Sequence, residues 1–61
     1  MPHVTIEAFE GRTVEQKRGL AKDVTEAVVK NFKCKPEAVS IIIHELKKEN
    51  LAKGGTLAID S

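Results

Sequence analysis

Few side chains in this sequence could carry chemistry, and they are scattered. His3, Cys34 and His44 are the imidazole and thiol groups. They lie far apart and lack the short paired spacings of zinc sites, so no metal is expected. His44 could act as a general acid or base, but it reads more simply as a strand residue bonded at a subunit contact. Cys34 stands between Lys33 and Lys35, cationic neighbours of the kind that activate a thiol, yet no base or resolving cysteine accompanies it. Pro2 follows Met1. With Met1 attached its nitrogen is an amide without basicity; with Met1 removed it is a secondary amine. Taken alone, Pro2 reads as a residue that starts a strand. Arg12 carries a guanidinium that can hold a carboxylate bidentately and polarise a neighbouring carbonyl. Taken alone, it reads as a solvated turn arginine or as a partner of Glu10 or Glu15.

The elements that would position these groups follow from periodicity. From His3 to Phe9 the apolar residues Val4, Ile6 and Ala8 alternate with His3, Thr5, Glu7 and Phe9, which predicts a strand with two distinct faces. Glu10-Gly11-Arg12 breaks the alternation, with Gly11 as the turn residue. Thr13-Val14-Glu15-Gln16 fits a capping box. The helix behind it, of about 20 residues, carries Leu20, Val24, Ala27, Val28 and Phe32 as an apolar stripe, with Lys17, Lys22, Asp23, Glu26 and Lys30 available for the wet side. Lys33 and Lys35 suit the negative end of the helix dipole, and Pro36 prevents continuation. Val39 to Leu46 predicts a second strand, and the run Ile41-Ile42-Ile43 asks for cover on both faces. The charged stretch Lys47 to Asn50 leaves the sheet, and Gly54-Gly55 marks a short hairpin or an extended tail. A helix of this length returns the chain along the strands, so the fold class is α/β: a β-α-β unit with parallel strands and a right-handed crossover. One domain spans residues 1–61.

Size sharpens the demand for cover. A chain of 61 residues buries only about 60% of the surface its unfolded form exposes, and domains this short lean on disulfides, metals or partner subunits. One cysteine forms no intrachain disulfide and fits a reducing, cytoplasmic setting. One helix covers one face of a two-stranded sheet, so the other face calls for a second copy and a homo-oligomer is expected. Ten basic and nine acidic residues leave a net charge of +1, which argues against nucleic acid or a membrane surface as partner. Two Phe with no Tyr or Trp offer little for base stacking. No apolar run approaches the roughly 18 residues of a membrane span, and no signal-peptide core is present.

Pro2 directly after Met1, the run Glu10-Gly11-Arg12-Thr13 with Glu15-Gln16-Lys17 behind it, and Gly54-Gly55 near the end resemble the 4-oxalocrotonate tautomerase family. The spacing from Pro2 to Arg12 and on to Gly54-Gly55 matches without gaps over nearly the whole chain. The resemblance implies β-α-β protomers whose sheets pair into four-stranded dimers, three of which form a hexamer. It implies an isomerase, without a cofactor, that interconverts keto and enol forms of an unsaturated 2-oxo or 2-hydroxy acid. Pro2, freed by removal of Met1, would be the general base. Partial burial and a nearby cation favour the neutral amine that such a base requires. Arg12 matches the arginine that engages the substrate carboxylate. Ser40 stands where the family places a second substrate-facing arginine from a neighbouring subunit, and Leu51 where it places an active-site phenylalanine. Leu51 still keeps a pocket apolar. Ser40 cannot replace a cation, so either the natural substrate is not the family's dicarboxylate or a lysine such as Lys47 or Lys48 compensates. The alternative expectation is a catalytically silent oligomeric member in which Met1 blocks Pro2.

Overall fold

The computed structural model describes residues 1–61. Strand β1 (His3–Phe9), helix α1 (Val14–Phe32) and strand β2 (Ser40–Leu46) form the predicted β-α-β unit, and the short strands β3 (Ala52–Lys53) and β4 (Thr56–Leu57) form a hairpin behind it. Single 3-10 turns at Pro36–Ala38, Lys48–Asn50 and Ala58–Asp60 join and end these elements.

Local chemistry accounts for the boundaries. Gly11 takes a φ of 121°, which L residues rarely adopt, and lets the chain leave β1 for the helix. The capping box is complete: the Gln16 amide donates to Thr13 Oγ1 at 3.1 Å, and the Thr13 amide donates to Gln16 Oε1 at 2.9 Å. Helix α1 ends on Lys33, whose backbone adopts the left-handed conformation while its amide donates to the Val29 carbonyl at 3.0 Å. Strand β2 begins at Ser40, one residue later than expected. The Val39 amide is engaged in the preceding turn, donating to the Pro36 carbonyl at 3.1 Å. Gly54 and Gly55 both have positive φ, 59° and 86°, as the two central residues of a type I′ hairpin turn require.

Strands β1 and β2 pair in parallel, in the register His3↔Ser40, Val4↔Ile41, Thr5↔Ile42, Ile6↔Ile43, Glu7↔His44, Ala8↔Glu45 and Phe9↔Leu46. Val4, Ile6, Ala8, Ile41, Ile43 and Glu45 therefore share the face that α1 covers. The stripe facing them differs from the predicted one. Val24 and Val28 are half-buried as expected, but Lys17 joins them, and Leu20, Ala27 and Phe32 stay exposed. Lys17 was expected on the wet side; instead its Nζ reaches Glu45 Oε1 at 2.6 Å. A carboxylate on the covered face needs a partner there, and Lys17 is the cation in reach.

The opposite face, built from His3, Thr5, Glu7, Phe9, Ser40, Ile42, His44 and Leu46, carries no helix. Ile42 at its centre is 56% exposed. The consequence is a slab without an interior: none of the 61 residues is buried. The radius of gyration is 14.7 Å, against about 10.5 Å for a compact domain of this length, and the shortest dimension is 13 Å. No helix is long and apolar enough to cross a membrane.

Candidate active site

The expected site residues fall into two groups at opposite ends of the sheet. At the start of β1, Pro2 is half-buried, and its carbonyl accepts a hydrogen bond from the Ser40 amide at 3.0 Å. This contact locks the beginning of β2 against the residue that would carry the base. Met1 ahead of it is 82% exposed. His3, the register partner of Ser40, shares its face.

At the other end, Gly11 turns the chain and Arg12 folds back so that Nη1 donates to the Phe9 carbonyl at 2.9 Å. Neither acidic neighbour holds it. Glu15 pairs with Arg18 instead, and no ion pair forms between Arg12 and Glu10. The rest of the guanidinium fork is left free for a planar anion. Arg12 and Leu51 line one open hollow of about 390 Å³ together with Glu7, Ala8, Phe9 and Leu46. On its helix side Arg12 also borders a cleft of about 340 Å³ lined by Ile6, Leu20 and Ile43. Glu7 in the hollow and the Lys17–Glu45 pair in the cleft are the other charged groups that line these spaces.

The two groups cannot meet within one chain. Six residue steps separate His3 from Phe9 in β1, or about 20 Å. Lys47 and Lys48 follow the C-terminal end of β2, so within the chain they stand at the Arg12 end and far from Ser40. His44 lies on the open face with Nδ1 at 3.9 Å from Glu7 Oε2, and both side chains are 63% exposed. An ion pair so wet contributes little to stability. Cys34 is half-buried and makes no side-chain hydrogen bond. The neighbour that sequence reasoning passed over is His3. Its alternation places it on the exposed face, but only the strand register sets it beside Ser40.

Against known proteins, a family model described as Tautomerase enzyme matches residues 2–60. The chain is similar to a probable tautomerase of Listeria monocytogenes, 45% identical over 60 residues and covering 98% of each chain. It is 56% identical to a probable tautomerase of Streptococcus pneumoniae over 46 residues, 75% of this chain and 77% of the other. Among solved structures, YwhB, a homologue of 4-oxalocrotonate tautomerase, superposes with a TM-score of 0.93 at 40% identity over 98% of both chains. A heterohexamer 4-oxalocrotonate tautomerase of Chloroflexus aurantiacus superposes with a TM-score of 0.89 at 30% identity, over 98% of this chain and 97% of the other. A match that begins at Pro2, ends at the last 3-10 turn and keeps the β-α-β-hairpin order throughout leaves one assignment: the chain belongs to the tautomerase family.

Proposed function

We propose that this protein is a keto–enol tautomerase acting on an unsaturated 2-oxo or 2-hydroxy acid, with Pro2 as general base and Arg12 as the carboxylate anchor. The observation that carries the reading is the state of Arg12. It lines a largely apolar hollow that also holds Glu7, is held by one backbone carbonyl, and is unpaired with any carboxylate of its own chain. The chemistry needs little else. The Pro2 amine takes the proton of the enol hydroxyl. The oxygen's electron pair then closes the carbonyl as the conjugated double bonds shift. The same proton is delivered to a carbon of the chain. No atom is gained or lost, and no cofactor is needed. Arg12 fixes the carboxylate beside the reacting oxygen and draws electron density toward it. Met1 is exposed and accessible to removal, which supports the enzymatic reading over a silent protein with a blocked Pro2.

The separation of about 20 Å between the two ends supports a site shared between copies, with the base from one protomer and the arginine from another. The open sheet face and the absence of buried residues support a homo-oligomer, and the heterohexameric relative from Chloroflexus aurantiacus supports an assembly of six subunits. The chain acts as one domain in the cytoplasm, its partners being copies of itself and a small carboxylate substrate. The test compares Met1-bearing and processed protein in the ketonisation of 2-hydroxymuconate. Processed protein is active, Pro2→Ala loses about 100-fold or more in kcat, and Arg12→Ala raises KM. Equal turnover by the two N-terminal forms would remove Pro2 as the base.

A further inference from the structure

The open sheet face carries one imidazole at the end where Pro2 and Ser40 lie. Ser40 occupies the position at which the resemblance to 4-oxalocrotonate tautomerases expects an arginine. The parallel register sets His3 directly across from it, on the same face. The Ser40 amide holds the Pro2 carbonyl at 3.0 Å, so the two strand ends stay in step and His3 remains beside Ser40. The His3 side chain is exposed and enters none of the protein's hydrogen bonds or ion pairs. Its neighbours on that face, Ser40 across the pair and then Thr5 and Ile42, carry no charge. The next titratable groups there are Glu7 and His44, about 13 Å along the strand. Besides these, only the amino terminus lies close along the chain, on Met1 here and on Pro2 once Met1 is removed. Within the chain Lys47 and Lys48 stand at the other end of β2; a shared site would bring them from another copy, a case in which His3→Ala leaves the selectivity unchanged.

We propose that His3 is the specificity-determining residue of this site: its imidazole donates an N–H hydrogen bond to the far carboxylate of a dicarboxylate enol, in place of the arginine that Ser40 replaces. This rests on the proposed Pro2–Arg12 site. Because His3 and Ser40 are paired in one chain, whichever copy's site Ser40 faces, His3 faces it as well. An imidazole ring carries an N–H donor, and without it the far charge faces only the Ser40 hydroxyl.

The experiment uses full-length protein with Met1 removed and two substrates, 2-hydroxymuconate with two carboxylates and 2-hydroxypenta-2,4-dienoate with one. Their kcat/KM ratio is measured at one pH and fixed ionic strength. His3→Ala is expected to lower the dicarboxylate preference about tenfold, the worth of one hydrogen bond to a charged group, and His3→Arg restores it. A preference unchanged in His3→Ala, or a ratio that His3→Arg leaves at the His3→Ala value, overturns the role of His3 while the Pro2–Arg12 reading stands. Processed protein that turns over neither substrate overturns that reading, and the role of His3 falls with it.

Discussion

Replacing Ile42 with aspartate puts a charge at the centre of the sheet face that α1 leaves open. In the isolated chain this side chain is 56% exposed, so covering the face with another copy removes somewhat more than half of an isoleucine from water. Full burial of such a side chain is worth about 1.5–3 kcal/mol, which makes the covered fraction about 1–1.5 kcal/mol per copy. Over six copies the loss is about 6–9 kcal/mol per assembly, or four or more powers of ten in the association constant. An aspartate trapped in the covered face adds several kcal/mol per copy, since no cation of the same strand pair lies opposite it. Its register partner is Thr5, with His3 and Glu7 flanking that position across the pair and His44 two residues along its own strand. Ile42→Asp is therefore expected to sediment as a largely unfolded or dissociated chain at micromolar concentration, while Ile42→Val stays close to the parent. The assay is sedimentation velocity with circular dichroism on the same samples. An Ile42→Asp protein that sediments and folds like the parent would refute the reasoning. So would a parent that is itself a compact, folded monomer.

Ser40→Arg is expected to raise kcat/KM for 2-hydroxymuconate more than for 2-hydroxypenta-2,4-dienoate; equal gains for both substrates would place the far-end subsite elsewhere. Thr13→Ala removes the acceptor of the Gln16 amide and should destabilise the protein by about 1 kcal/mol per chain in urea unfolding, with Thr13→Ser close to neutral; an unchanged midpoint for the alanine variant would mean that water replaces the cap.

Much of the fold was legible because it is written locally. Alternation over β1, Thr13 and Gln16 at capping spacing, and paired glycines at a hairpin all act within a few residues of themselves. What escaped was set by pairing across the chain. Lys17 looks like a solvent residue from its helical phase, and only Glu45, brought to the covered face by β2, turns it inward. The start of β2 slipped by one residue because the Pro36–Ala38 turn claims the Val39 amide. The site divided in the same way. Pro2, Arg12, Ser40 and Leu51 were identifiable by type and by their match to a family pattern. That Pro2 joins Ser40 while Arg12 joins Leu51, about 20 Å away, depends on strand direction and register. Those are the properties that a single sequence states least directly.

A protein with no interior of its own inverts the usual map of where a gene is free to drift. In most domains exposed positions tolerate change and hidden ones resist it. Here exposure within the chain is no guide, because Ile42 and Leu51 are open to solvent yet lie on surfaces that other copies or substrate would claim. A substitution on such a surface is repeated in every copy, so its cost multiplies with the symmetry. The solvent row of α1, with Lys22, Asp23, Glu26 and Lys30, is then the ground most open to neutral divergence. Sequence variation among relatives should gather there, while an outwardly bare strand changes slowly.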